Sequence, residues 1–199
     1  ASGDGFVLDG AKMHVNYAAT ADRLVVLART GDEEEAIDLF LVDPRAAGVT
    51  LSQRENLGSE TTFRVDLANV EVAEADRIGG AGSGWETWAL VMNDAIVLAA
   101  AQAAGGAKAA LEITGDYAKT REQFGKPLGA FQSVSHYLAD AATQIEGGST
   151  LVYEAAWKRS VGQDTALHAP LAKLFMCHAF RDVTAMCLSL IHISEPTRL

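Results

Sequence analysis

The pattern of apolar residues changes once along the chain, at residues 79–84, Gly-Gly-Ala-Gly-Ser-Gly. Before this run, apolar residues fall in short stretches separated by turn residues, as strands do. After it, they recur at steps of three and four over long stretches, as helices do. Strands followed by helices define the α+β class, in which a sheet layer and a helical layer each close a core.

In the first part, residues 6–8 and 13–15 flank Asp9-Gly10, which reads as a hairpin turn. Residues 24–27 and 37–42 supply further strands, the second ended by Asp43-Pro44. Residues 62–67 alternate with period two, and residues 69–72 add a short strand. Regular turns between short strands predict a small β-barrel or sandwich domain over residues 1–80. The acidic run at 32–35 reads as a solvated loop.

In the second part, Trp85 to Arg121 is apolar and rich in Ala and Gly, which predicts a buried, closely packed helix. Its Gly105-Gly106 pair follows no strand, so it reads as packing, not as a nucleotide loop. Phe131, Val134, Leu138, Ala141, Ile145, Gly148, Val152 and Ala155 step by three and four, a near-heptad seam suited to an antiparallel bundle of the four-helix type. Asp164 or Thr165 caps a third helix from Ala166, with Pro170 in its first turn. The bundle is expected over residues 84–187.

A net charge of −10 argues against nucleic acid as a partner. Cys177 and Cys187 show neither metal-ligand spacing nor a disulfide framework and read as buried thiols, so no metal site is expected. The uncharged run at 95–107 is too short to cross a bilayer, so no membrane span is expected.

The chemistry concentrates between the first two helices, in Arg121-Glu122-Gln123-Phe124-Gly125-Lys126-Pro127. Phe124-Gly125 stops a helix and Pro127 blocks its continuation. The guanidinium of Arg121 suits a pair of phosphate oxygens. Gln123 and Gln132 add neutral donors. By spacing alone, an ordinary helix corner with a cation on the helix dipole is the favoured account of this turn.

The turn, with Phe131-Gln132 and Leu138-Ala139-Asp140 after it, closely resembles the C-terminal helical domain of acyl-CoA dehydrogenases. The resemblance runs from about Gly5 to about Cys187. It implies the end of a middle β domain followed by most of a C-terminal bundle, truncated at both ends. It also implies FAD, an acyl-CoA substrate oxidised to a trans-2-enoyl-CoA, and an electron-transfer flavoprotein as electron acceptor. A homotetramer, or another homo- or hetero-oligomer, is implied too. The location implied is cytoplasmic in a bacterium, or the mitochondrial matrix in a eukaryote.

Carried onto this chain, the resemblance gives Arg121, Glu122, Gln123, Phe124, Phe131 and Gln132 the pyrophosphate and ADP part of a neighbouring subunit's FAD. His14, Val15 and Asn16 stand where the family's Trp-Ile-Thr/Ser meets the flavin edge. Asn93 and Ile96 stand where the family's Asp and Arg hold the acyl-CoA, and both charges are gone. No general base is visible: Ala95 occupies one branch's catalytic position, and the other branch's Glu lies beyond this chain. The fragment alone is expected to be inactive. The alternatives left open are a non-catalytic partner subunit of a heteromeric dehydrogenase and a related flavin oxidase or monooxygenase.

Residues 188–198 match, without a mismatch, the translation of a common transposase-library sequencing adapter. Residues 188–199 are therefore expected not to belong to the natural protein, and His192 and Glu195 are set aside as site candidates.

Overall fold

The computed structural model describes residues 5–58 and 60–193, in two compact units, Ala1–Ala89 and Leu90–Leu199. Glu195 and the rest of residues 194–199 lie outside the described residues.

The first unit is a sandwich, not a closed barrel. One sheet orders β1 (Gly5–Asn16), β5 (Thr62–Ala73) and β4 (Val49–Arg54); the other orders β2 (Leu24–Arg29), β3 (Ile37–Val42) and β6 (Arg77–Ile78). All the pairings are antiparallel. Alternating residues of both sheets meet in one core: Leu8, Phe63, Val65, Leu67 and Val70 face Leu24, Val26, Phe40 and Val42. The sequence pattern missed β4 because it has only two large apolar residues, Val49 and Leu51, followed by the polar Ser52, Gln53 and Arg54.

The hairpin expected at Asp9-Gly10 is not there. β1 runs straight through it, paired with β5 along its length, and the register slips by one residue between Leu8 and Gly10. The extra residue sits on β5 at Asn69, whose φ is +52° and whose N–H donates to the Asp9 carboxylate at 2.8 Å. Asp9-Gly10 lies opposite the bulge, where Gly10 at φ +143° uses the backbone freedom it would have used in a turn. The expected strands at 62–67 and 69–72 are accordingly one strand bent at Asn69. A second bulge, between Lys12 and Val15, puts His14 at φ +55°. The acidic loop at 32–35 is exposed, as expected.

The glycine run that divides the pattern is clipped to β3. Asp38 is only 2% exposed and accepts the Gly82 N–H at 2.6 Å and the Thr30 hydroxyl at 3.1 Å, with Arg77 at 3.6 Å. Gly84 passes so close that a Cβ would lie 2.6 Å from the Asp38 Cα.

Residues 90–193 form an antiparallel helical bundle. α1 (Gly84–Thr120) enters it, α2 (Gln132–Ser160) returns, and α3 (His168–Ile193) runs back along α2. The near-heptad seam holds: Ala141, Ile145, Gly148, Val152 and Ala155 are buried, while Val134 and Leu138 are half-buried. Gly148 is required there, because a Cβ would stand 1.9 Å from Met176 Sδ of α3. Asp164 accepts the Ala166 N–H at 2.9 Å, and regular helix starts two residues later. Cys187 is buried, but Cys177 is only half-buried.

α1 is less buried than its composition suggests. Val97, Ala100, Ala107, Thr114 and Ala118 make a narrow buried stripe, while Leu90, Val91, Leu98 and Ile113 are exposed. A helix with one packed side in this chain buries only that side, however apolar the rest. By length and composition alone, Gly84–Thr120 and His168–His192 are each apolar enough to cross a bilayer. The short run at 95–107 was thus too narrow a test. Both helices nonetheless put small residues into a core shared with α2.

Candidate functional site

The turn between α1 and α2 is itself a small hairpin. β7 (Glu122–Gln123) pairs with β8 (Lys126–Pro127), Glu122 opposite Pro127 and Gln123 opposite Lys126. The two-residue connection has positive φ at both positions, +54° at Phe124 and +79° at Gly125, as a type I′ turn requires. Glycine adopts this geometry freely, but a bulky aromatic does not. The strained residue is also 93% exposed, so no core contact holds it there. Strain of this kind is commonest at functional sites.

The hairpin is tied to its base by the Arg121 N–H donating to Tyr117 at 2.8 Å and the Leu128 N–H donating to Arg121 O at 2.9 Å. The Phe124 ring meets Phe131 edge-on, centroids 6.3 Å apart. Gln123, Phe124 and Phe131, with Leu128, Ser133, Val134 and Leu190, line an open cavity of about 360 Å³. Leu190 belongs to the segment set aside above; the other six walls do not. Phe131 is the N-cap of α2 and supplies no side-chain cap, so Gln132 opens a helix whose first N–H groups lack that partner. Glu122 and Gln132 are exposed, and Arg121 is half-buried.

Lys126 was missed by the sequence reading. Its ammonium lies 4.2 Å from the Phe131 ring centroid. The signal was there, a cation directly after the Phe-Gly of the turn, but the pairing that turns it toward Phe131 depends on a hairpin that only the backbone reveals. The exposed Phe124, the half-buried Phe131, amide donors, cations and an uncapped helix start form a set that fits a phosphate-bearing aromatic ligand.

Asn93 and Ile96 are placed otherwise. The Asn93 amide donates to Thr165 Oγ1 at 2.9 Å, and Ile96 packs against the core around Val97 and Met176. Between them, Asp94 accepts two hydrogen bonds from Arg159, at 2.6 and 3.1 Å. That guanidinium holds the Asp94 carboxyl below the usual carboxylate range. A carboxylate so bound is a poor proton acceptor.

In the first unit, His14 is exposed and Val15 packs against the sandwich core. The Asn16 amide donates to Glu60 at 2.8 Å. The Lys12 ammonium donates to Leu27 O of the other sheet at 2.6 Å. Among the described residues, no three His, Cys, Asp or Glu side chains gather as a metal site would need.

Residues 1–72 match the acyl-CoA dehydrogenase middle domain, and residues 82–191 match the acyl-CoA dehydrogenase C-terminal domain. An acyl-CoA dehydrogenase of Bacillus subtilis is 36% identical over 180 residues, 87% of this chain and 47% of the relative. Butyryl-CoA dehydrogenase from Megasphaera elsdenii superposes with a TM-score of 0.90 at 31% identity, covering 96% of this chain and 51% of that one. A chain from a structure of the electron transferring flavoprotein of Acidaminococcus fermentans gives a TM-score of 0.90 at 28% identity, covering 96% and 52%. The chain thus spans about half the length of the relatives it matches. The strand-then-helix order, the 121–132 turn and these likenesses agree, and the chain belongs to the acyl-CoA dehydrogenase family.

Proposed function

We propose that this chain is part of an FAD-dependent acyl-CoA dehydrogenase that converts an acyl-CoA to its trans-2-enoyl-CoA. The family's members are flavoproteins, which implies a flavin. The observation that carries the FAD assignment is the type I′ hairpin, which holds Phe124 in a strained, exposed position beside Gln123 and Phe131.

When bound, FAD supplies the acceptor for the hydride that leaves the substrate's β carbon while a carboxylate base takes the α proton. Arg121 neutralises phosphate charge on the FAD of a neighbouring subunit. Gln123 and Gln132 orient the phosphates, Glu122 borders them, and Phe124 and Phe131 exclude water beside them. His14, Val15 and Asn16 border the flavin ring, and Asn93 and Ile96 border the acyl-CoA. Asp94 is not the α-proton base in this reading, since its carboxylate is committed to Arg159. The parent protein is an oligomer, and its electrons pass to an electron-transfer flavoprotein; the likeness to a chain from a structure of such a flavoprotein supports this partner. The bacterial relatives support a cytoplasmic location.

The test is flavin content in the full-length protein. A charge-assisted phosphate contact contributes roughly 1.5–3 kcal/mol, so Arg121→Ala is expected to weaken FAD about ten- to a hundredfold. Arg121→Lys recovers part, keeping the charge but losing the fork. Flavin absorbance per protein measures this, with circular dichroism as the folding control. Wild-type flavin content in a folded Arg121→Ala protein refutes the reading.

One observation favours a second reading, a non-catalytic partner subunit. The positions expected to hold acyl-CoA carry an amide already bonded to Thr165 and an isoleucine packed in the core. Titration of the full-length protein with an acyl-CoA separates the two: flavin bleaching supports the dehydrogenase, and retained flavin that never bleaches supports the partner subunit.

A further inference from the structure

We infer that Lys126 is a second phosphate-binding cation at this turn, held in position by the Phe131 ring. The inference rests on the reading that the turn binds a dinucleotide. Three observations carry it. Lys126 is the cross-strand partner of Gln123 in the hairpin, so the two side chains leave the same face of the ribbon. Its ammonium stands over Phe131 at 4.2 Å, close enough for a cation–π contact. Phe131 and Gln123 in turn both line the 360 Å³ cavity with Phe124. Lys126 therefore stands beside the cavity, and among the described residues no carboxylate pairs with it. In a chain with a net charge of −10, a cation placed beside amide donors, one exposed aromatic ring and one half-buried one selects an anionic aromatic ligand.

The division of labour follows from side-chain chemistry. Arginine grips an oxygen pair with a rigid fork, whereas lysine acts as a compact, strongly hydrated point charge. Resting on an aromatic face, the Lys126 side chain has fewer positions to lose when a phosphate arrives. Phe131 is then a positioning residue for Lys126 as well as a wall of the cavity.

The experiment uses the full-length holoprotein, with FAD dissociation followed by flavin fluorescence at low and high salt. Lys126→Gln is expected to weaken FAD by about three- to tenfold, less than a buried charged contact because the site is exposed. It is also expected to flatten the loss of affinity with added salt, since one screened charge is gone. Lys126→Arg should stay near wild type, and Phe131→Leu should reproduce part of the Lys126→Gln effect. ADP alone should bind the flavin-free Lys126→Gln protein more weakly than flavin-free wild type. If Lys126→Gln binds FAD like wild type while Arg121→Ala loses it, the inference about Lys126 fails and the dinucleotide reading stands. If both variants keep wild-type affinity, the dinucleotide reading fails, and this inference with it.

Discussion

Replacing Gly148 by alanine tests the close approach of α2 and α3. A Cβ built at Gly148 meets Met176 Sδ at 1.9 Å and Phe175 Cδ1 at 2.9 Å, both well inside contact distance. Phe175 is 42% exposed and can swing outward, but Met176 is fully buried and has nowhere to go. Alanine in a helix is better than glycine by about 0.8–1 kcal/mol. Overpacking a filled core costs typically about 1–3 kcal/mol. The net expectation for Gly148→Ala is a loss of about 0–2 kcal/mol. Met176→Ala alone should cost about 2–5 kcal/mol, as truncation of a fully buried methionine does. In that second background the obstacle is gone, so adding Gly148→Ala should stabilise by about 1 kcal/mol, the helix-propensity gain alone. The sign of one substitution therefore reverses with the other. Urea unfolding followed by far-ultraviolet circular dichroism on wild type, both single variants and the double variant gives the coupling directly. Equal effects of Gly148→Ala in both backgrounds would show that α2 and α3 are not held at this distance by the missing Cβ.

Asp38→Ala should destabilise by about 1–3 kcal/mol, because it leaves the Gly82 N–H without its acceptor and removes one of the two carboxylates paired with Arg77; denaturant unfolding measures it. Phe124→Asn should leave stability within about 1 kcal/mol of wild type, since relief of left-handed strain offsets the lost ring contact, yet it should weaken flavin retention; a thermal melt beside flavin absorbance separates the two effects. Asp94 is held below its ordinary value of 3.8 by Arg159, so its contribution is present above that pH and lost as pH falls through the lower folded value; Arg159→Gln should remove this part of the acid sensitivity, read as the urea midpoint against pH below about 4. Residues 188–199 should be absent from the uninterrupted genomic locus, which resequencing from source DNA decides.

The parts of this fold legible in the sequence are those in which a residue's job is set by its spacing. The seam from Val134 to Ala155 is of this kind: a helix repeats every 3.6 residues whatever surrounds it, so the buried positions can be counted off. The sandwich core was legible for the same reason in β2, β3 and β5. Asp9-Gly10 was not, because the dipeptide fixes only what the backbone is permitted to do. Whether it turns or runs on opposite a bulge depends on the partner strand, and here Asn69 on β5 supplies the extra residue and the N–H that Asp9 accepts.

The candidate site divides along the same line. Arg121, Gln123, Phe124 and Phe131 were legible as residue types, and Gly125 as a stop. The left-handed backbone at Phe124 was not, since a phenylalanine there runs against local preference and is imposed by closing a two-residue hairpin. That hairpin also decides which neighbours face each other: it sets Lys126 opposite Gln123 and brings its ammonium over Phe131. Asn93 shows the opposite case. Its position suggested a ligand, but its amide is spent on Thr165, a residue far along the chain that no local pattern connects to it. A side chain's chemistry can be read from sequence, whereas its availability depends on which distant partners the fold brings to it. Arg121 and Lys126 differ from Asn93 in that the same local turn that displays them also builds the cavity beside them, which is why the turn, and not the 93–96 positions, carries the functional reading.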